Sequence, residues 1–371
     1  MEGPAPVSDE LLYSEPEEEL RAAVADLLSA RAPWSAVLAR TESAEPYDAD
    51  LWKALGTGIG AAGLLVPEEL GGAGASLREA AVVAEELGKA VAPVPFLGSL
   101  TATALLLALP GCDAQLRRIA TGEQTAAVAV PFSTLPGNGR RNTVSVTPWP
   151  PKDGVTDARL TGRVTGVADA LPADVLIVPA DGSLYAVQAV DVTRKAVTSL
   201  DMTRVLCDIE LEDTPGELLA IGYSALDEAL TSAAAVLASE QLGLAERCLA
   251  TTVEYVKTRH QFGRAVGSYQ GLKHRLAQLW VQIAQARAVA RHAVSATGDE
   301  RAIAVAVAQA HCSAVAVLAA EECVQMHGGI GFTWEHPAHL YLKRAKSASL
   351  ALGTAARHRA RLAELVGLPA S

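Results

Sequence analysis

The sequence is poor in cysteine and in aromatic residues. Among its 371 residues there are five cysteines, and no two of them form a C-x-x-C pair. This usage argues against a disulfide framework and against a zinc site, and it favours a reducing cytoplasm. Aromatic residues make up 4% of the chain, whereas half of it is hydrophobic and rich in Ala, Leu and Val. That composition favours closely packed helices over a large β-sandwich.

A positive balance of charge is also missing. The formal net charge is −11, which argues against a nucleic-acid-binding protein because phosphate contacts need clustered positive charge. No basic segment followed by an apolar run stands near the N-terminus, so we expect no signal peptide. The longest apolar stretches, 231–250 and 302–324, contain polar residues such as Glu240 and Glu321. They predict buried helices, no membrane association and a cytoplasmic location.

One long stretch has no acidic residue at all. From Tyr255 to Gly298 there is no Asp or Glu. The stretch holds seven basic residues: Lys257, Arg259, Arg264, Lys273, Arg275, Arg287 and Arg291. One interpretation is a solvated helix end, where cations are favourable. The other is a phosphate site, in which Arg259 offers a bidentate guanidinium and Phe262 with Gly263 forms an apolar wall at a helix break.

A second motif, "QMHGGIGFTWE", begins at Gln325. It has three glycines within four residues, at 328, 329 and 331, in a sequence that is otherwise helical. Glycine is unfavourable in a helix unless the backbone needs a positive φ or must approach a ligand closely. A plain helix–loop–helix turn with Gly328 as the C-cap explains the motif equally well.

Sequence patterns divide the chain into three segments. Residues 1–121 have helical spacing, with Ser76 and Glu79 placed as a capping box. Residues 122–220 contain short β-branched runs separated by turns, which predict a β domain. Residues 221–371 predict long Ala-rich helices, including about 268–297, about 300–326 and a last one that starts near His336. Together these form an expected four-helix bundle.

These motifs, in this order, resemble those of the acyl-CoA dehydrogenase family. The similarity extends over nearly the whole chain and includes "GLLVPEELGGAGASLREAAVVAEELGKA" (63–90), "RHQFG" (259–263) and "QMHGG" (325–329). It implies a mainly α fold with an N-terminal helical domain, a middle β-barrel and a C-terminal four-helix bundle. It also implies FAD as cofactor, an acyl-CoA substrate, α,β-desaturation and an obligate dimer or tetramer.

The resemblance assigns cofactor-binding residues. In the family these two C-terminal motifs reach across a subunit interface to the neighbour's FAD. Carried over, Arg259, Gln261 and Phe262 contact that FAD, with Gln270 nearby. The diphosphate side is assigned to the second motif, and Thr354 joins the set through the "ALGT" stretch: Gln325, Gly328, Gly329 and Thr354.

The catalytic base that the family requires is missing at its two usual positions. Leu352 stands in "ALGT" where most members have a Glu, and Ala233, 26 residues before Arg259, stands at the alternative position. Glu240 remains on the same helix, but it lies two turns further on, roughly 10 Å along the axis. An interhelical or subunit-interface hydrogen bond is the other interpretation of Glu240. The catalytic residue of this chain is therefore unknown from sequence.

The flavin-ring segments also depart from the family pattern. The stretch "VPFSTLPGNG" replaces a "TEP-x-AGSD"-like loop, and Val164 or Thr165 stands where an aromatic residue is expected. Three hypotheses follow. In the first, the chain is the base-lacking subunit of a heteromeric, α2β2 acyl-CoA dehydrogenase that acts on a large substrate such as a steroid side-chain CoA thioester. In the second, it is a self-sufficient homomeric enzyme that uses Glu240 as its base. In the third, it is a catalytically silent scaffold subunit. An electron-transfer flavoprotein-like acceptor is left open.

Overall fold

Helices, strands and helices follow one another along the chain. A computed structural model describes residues 11–137, 143–148 and 157–368. The predicted loop residues Asn138 and Gly139 lie outside them. The N-terminal helices are α1 (Glu15–Arg31), α2 (Trp34–Thr41), α3 (Ala49–Lys53), α4 (Leu77–Ala90), α5 (Phe96–Leu107) and α6 (Asp113–Ala120). The predicted capping box is confirmed: the Ser76 N–H donates to Glu79 Oε2 at 2.9 Å, and α4 begins at the next residue.

The middle segment is a seven-stranded sheet. Its strands are β1 (Ala126–Val128), β2 (Val144–Pro148), β3 (Asp157–Ala168), β4 (Val175–Ala180), β5 (Ser183–Gln188), β6 (Thr193–Val197) and β7 (Leu206–Ile221). The order is β1-β4-β5-β7-β3-β2, with β6 paired to β7. We predicted a β-barrel; within the described residues the strands form one sheet, whose end strands β1 and β2 do not pair.

The sheet brings two chain segments together. After β1 the chain turns back, and the Phe132 N–H donates to the carbonyl of Gly166 on β3 at 2.9 Å. Gly166 has φ 64°, at a point where the register between β3 and β7 shifts. The end of β1 is thereby held beside β3.

The described part of the C-terminal segment contains five α-helices. They are α7 (Ser224–Thr258), α8 (Gln270–Ser295), α9 (Gly298–His327), α10 (Ala338–Ala348) and α11 (Ala355–Leu365). We expected one last helix from about residue 336, and this was wrong. Leu352 (φ 51°) and Gly353 (φ 104°) have left-handed backbones, which cannot continue an α-helix, so the chain breaks between α10 and α11.

Helices α4 and α7 cross in close contact, and glycine makes this possible. A Cβ on Gly243 of α7 would overlap the backbone carbonyl of Glu85 on α4. A Cβ on Gly88 would likewise overlap the carbonyl of Glu240. The N-terminal segment is thus fixed directly against the longest helix of the bundle.

The helix that continues from α9 through Phe332 is the one described helix long and apolar enough to cross a membrane by length and composition. In the structure, 56% of its most apolar window is buried. It packs against α7, α8, α10 and α11, as the core helix of a bundle does.

Candidate functional site

The first motif forms a tight hairpin between α7 and α8. Strands β8 (His260–Gln261) and β9 (Arg264–Ala265) pair, and Phe262 and Gly263 form the two-residue turn. Both turn residues have positive φ, 52° and 77°, as a type I′ turn requires. An aromatic residue rarely adopts this backbone. The turn leaves Phe262 90% exposed, pointing away from its own chain.

The two sequence motifs line one cavity of about 590 Å³, which we call the clamp cavity. It lies where the C-terminal ends of α7 and α9 meet the start of α8. The predicted residues that line it are Arg259, Gln261, Gln325, Gly328 and Gly329. The other three predicted cofactor-binding residues, Phe262, Gln270 and Thr354, are not part of its wall.

Arg259 differs from three of the other six cations in the acid-free stretch, Arg275, Arg287 and Arg291, which form ion pairs. Arg275, which also lines the clamp cavity, pairs with Glu322 at 2.7 Å, and Arg287 pairs with Glu246 at 2.7 Å. Arg259 is exposed and makes no ion pair within the described residues. A free guanidinium on a cavity wall is suited to bind an anion, and a planar fork matches phosphate oxygens well.

The glycines leave room for a ligand to approach the backbone. No atom lies within 4 Å of the position that a Cβ would take on Gly328 or Gly329. Gly328 has φ 64° and ends α9. The volume, the free guanidinium and the open glycine backbone together fit a nucleotide diphosphate. The residues present therefore suit FAD.

Two aromatic residues in the clamp cavity were missed by sequence reasoning. Tyr255 and His327 both line it, and their rings lie 4.3 Å apart between centroids. The Tyr255 hydroxyl donates to the His327 carbonyl at 3.3 Å. His336 stacks on the other side of His327, at 4.1 Å. Tyr255 lies one turn before Arg259, a spacing that could have revealed it.

Thr354 caps a helix in the structure. It is the N-cap of α11, and its hydroxyl accepts from the Arg357 N–H at 3.3 Å. Gln270 is the first residue of α8 and is exposed. The FAD contacts assigned to Phe262, Gln270 and Thr354 stay predictions.

Leu352 lines a small pocket, which we call the Leu352 pocket. Its volume is only about 40 Å³. Leu352 is 4% exposed and shares the wall with Leu230 of α7, one turn before the fully buried Ala233. Both expected base positions therefore lie in or near a small hydrophobic space. Neither side chain can accept a proton.

One carboxyl group does line the Leu352 pocket, and sequence reasoning missed it. Asp169, at the end of β3, accepts a hydrogen bond from the Gly98 N–H at 2.8 Å. Burial raises the pKa of Asp169. Its left-handed backbone, φ 57°, is a local constraint that the sequence did not signal. The contact joins α5 to the sheet.

Glu240 is enclosed by two arginines. Arg204 Nη2 donates to Glu240 Oε2 at 2.6 Å, and Arg344 Nε donates to Oε1 at 2.8 Å. All three side chains are at least 95% buried. Burial alone would raise the pKa of Glu240, but the two guanidinium groups outweigh it and lower the pKa to about 2. A carboxylate held this way is a weak base and lacks a free oxygen, which argues against a role in proton abstraction.

The two segments that the resemblance places against a flavin ring meet at a third cavity, of about 410 Å³. We call it the strand-end cavity. The turn after β1 contributes Pro131, Phe132 and Ser133, and β3 contributes Thr165 and Gly166. Ser347, near the end of α10, and Leu350, in the break after that helix, also line the cavity. No aromatic residue of β3 lines this cavity.

The fold and these sites define an oxidoreductase of a known class. The chain matches the family models "Acyl-CoA dehydrogenase, N-terminal domain" over residues 14–123 and "Acyl-CoA dehydrogenase, C-terminal domain" over residues 221–367. The chain belongs to the acyl-CoA dehydrogenase family. It is 39% identical to acyl-CoA dehydrogenase IpdE2 of Mycobacterium tuberculosis, over 89% of this chain and 91% of that protein.

Solved structures of relatives have the same fold. The ChsE4–ChsE5 complex from Mycobacterium tuberculosis matches with a TM-score of 0.86 and 26% identity, over 97% of this chain and 100% of the compared chain. The Tcur3481–Tcur3483 steroid ACAD G363A variant matches with a TM-score of 0.82 and 27% identity, over 98% and 99%. The predicted order of a helical, a β and a helical segment is thereby confirmed.

Proposed function

We propose that this chain is the partner subunit of a heteromeric, FAD-dependent acyl-CoA dehydrogenase of α2β2 composition. It holds part of an FAD that is seated mainly in a related subunit, and that subunit supplies the catalytic base. One contrast carries the proposal. The clamp cavity has a volume of about 590 Å³, and Arg259 in its wall makes no ion pair within the described residues. The Leu352 pocket has a volume of only about 40 Å³, and its wall is hydrophobic apart from Thr101 and Asp169.

The clamp residues would each bind the cofactor in a defined way. Arg259 would neutralise the diphosphate with two parallel hydrogen bonds. The amides of Gln261 and Gln325, which line the same cavity, would donate or accept at the polar edge of the nucleotide. Gly328 and Gly329 would let the diphosphate reach the backbone. Bound FAD supplies the hydride acceptor for α,β-desaturation of an acyl-CoA.

The base must then come from outside this chain. A carboxylate has to lie within hydrogen-bond reach of the proton it removes. Leu352 and Ala233 cannot accept a proton, and Glu240 is occupied by Arg204 and Arg344. The carboxyl group of Asp169, which lines the Leu352 pocket, is held by the Gly98 N–H and joins α5 to the sheet. A related subunit with a free Glu satisfies this requirement. Because the Leu352 pocket of this chain would not serve as an active site, the assembly would have half as many active sites as chains.

The relatives support a heteromer and a large substrate. ChsE4–ChsE5 and Tcur3481–Tcur3483 were each solved as a pair of proteins, and the latter is a steroid acyl-CoA dehydrogenase. We extend this to a bulky CoA thioester, such as that of a steroid side chain, for the present chain. An electron-transfer flavoprotein-like acceptor and a cytoplasmic location complete the proposal.

FAD content per chain tests the proposal. The chain is purified alone and together with a co-expressed related acyl-CoA dehydrogenase chain that carries the missing Glu. We expect about one FAD per pair of chains in the complex, thioester-dependent flavin reduction only there, and little FAD in the lone chain. A lone chain with stoichiometric FAD and full dehydrogenase activity would contradict it.

Two alternatives give different results. If the chain is self-sufficient through Glu240, Glu240→Gln abolishes flavin reduction by acyl-CoA in the lone chain but leaves FAD bound. If it is a silent scaffold, changing Arg259 alters assembly but not the turnover of the partner.

A further inference from the structure

The Leu352 pocket and the strand-end cavity are neighbours with a shared wall. Pro131 and Phe132 line both of them. On one side of this wall lies the space of about 410 Å³ beside β3, and on the other lies the space of about 40 Å³ beside Leu352. In a working site of this family the flavin and the acyl group must be in contact.

Phe132 is held in the wall from two sides. Its N–H donates to the Gly166 carbonyl at 2.9 Å, and its own carbonyl accepts from the Leu352 N–H at 2.7 Å. Leu352 in turn is fixed through its carbonyl, which accepts from His358 Nε2 at 2.9 Å. The backbone of Phe132 is therefore held by β3 and by the break between α10 and α11.

A buried cation supports the ring. The guanidinium carbon of Arg204 lies 5.2 Å from the Phe132 ring centroid, within range of a cation–π contact. Arg204 is 4% exposed and is fixed by Glu240 at 2.6 Å. Its Nε and Nη1 have no hydrogen-bond partner among the described residues. Glu240, Arg204 and Phe132 thus form a continuous series of contacts from α7 to the wall.

We propose that Phe132 is the residue that keeps an acyl thioester out of this chain's own pocket, with Arg204 as its positioning residue. This rests on the proposed function. Hydride transfer needs the reacting atoms about 3–3.5 Å apart. A phenyl ring between the two spaces prevents that approach, so the missing carboxylate at Leu352 is not the only reason for an inactive site. The substitution Leu352→Glu alone would leave the Phe132 ring between the Leu352 pocket and the strand-end cavity.

Binding of butanoyl-CoA to the purified lone chain, followed by isothermal titration calorimetry, tests this. We expect Phe132→Ala to bind butanoyl-CoA at least tenfold more tightly than the wild type, because the two spaces join. Phe132→Leu retains most of the bulk and should stay close to wild type. Leu135→Ala is the matched control, since Leu135 is on the same turn but lines neither space. Phe132→Val should lie between Ala and Leu.

The outcomes separate the two proposals. If wild-type chain binds butanoyl-CoA as tightly as folded Phe132→Ala does, or if none of the Phe132 variants gains affinity while circular dichroism shows them folded, the role of Phe132 is wrong. Either result leaves the FAD count of the heteromer unaffected. If instead the wild-type lone chain carries FAD that butanoyl-CoA reduces, the proposed function fails as well.

Discussion

Glu240 lies on α7, the helix that carries the alternative position for the catalytic base, but its surroundings make it a poor base. Its two oxygens are both used, by Arg204 and Arg344, and no solvent reaches the group. A buried pair of this kind becomes strongly unfavourable when one partner is removed, because an unpaired charge stays in the interior.

Glu240→Gln should therefore destabilise the fold. We expect the free energy of unfolding to fall by about 3–5 kcal/mol, since buried Arg204 loses its ion-pair partner and Arg344 keeps only Asp201, at 3.6 Å. Urea denaturation of the lone chain measures this. Glu364→Gln is the matched control, because Glu364 pairs with Arg361 at the surface, with 67% of its side chain exposed. A surface pair contributes about 0–1 kcal/mol. Equal losses in both variants would contradict a structural role for Glu240.

The ion pairs of Glu240 also predict that the stability of the fold depends on pH. The folded-state pKa of Glu240 is lowered to about 2 from an ordinary value of 4.5. Its stabilising contribution is thus fully present above about pH 4.5 and is lost as the pH falls from 4.5 toward 2. The stability difference between wild type and Glu240→Gln should shrink over that window. A difference that stays constant from neutral pH to pH 2 would rule out the ion pair as its cause.

At the scale of elements, the crossing of α4 and α7 depends on the absence of a side chain. Gly243→Ala would place a methyl group against the carbonyl of Glu85, which lies in a helix and cannot move away freely. We expect a loss of about 1–3 kcal/mol in the free energy of unfolding, as for other overpacked sites.

Gly271→Ala is the control for helix propensity. Gly271 is on α8, and no atom lies within 4 Å of its Cβ position. Its replacement should be neutral or raise stability by up to about 1 kcal/mol. Chemical denaturation measures the free energy of unfolding of both variants. If Gly243→Ala is as stable as the wild type, the close contact between α4 and α7 is not needed for stability.

Several elements were predictable because their causes are local. The capping box at Ser76 placed the start of α4, and the β-branched runs predicted five of the described strands, β1, β2, β4, β5 and β7. The break between α10 and α11 was not predictable. It depends on left-handed backbone at Leu352, a residue type that seldom adopts it, and on a hydrogen bond to Phe132, which is far away in sequence.

For the whole molecule, the clamp cavity points to function in an assembly. Arg259→Ala should lower the affinity of the co-purified heteromer for FAD about tenfold or more, because charge-assisted hydrogen bonds contribute about 1.5–3 kcal/mol each. The lone chain should fold as before, since Arg259 is exposed and unpaired within the described residues. Fluorescence titration with FAD measures the affinity.

Lys257→Ala provides the control. Lys257 is exposed, carries the same charge two residues earlier and is not part of the clamp cavity. It should leave the FAD affinity of the heteromer near that of the wild type. Equal effects of the two changes would indicate a general electrostatic field and not a specific phosphate contact.

By itself, the sequence determined the order of helical and β segments and the family. It also determined the loss of a base at positions 233 and 352, because these depend on residue types and spacing along the chain. Only the tertiary structure decided which residues share a cavity. It joined Arg259 to Gln325, enclosed Glu240 between Arg204 and Arg344, and placed Phe132 between two spaces. These are contacts between residues far apart in sequence, and packing alone sets their geometry.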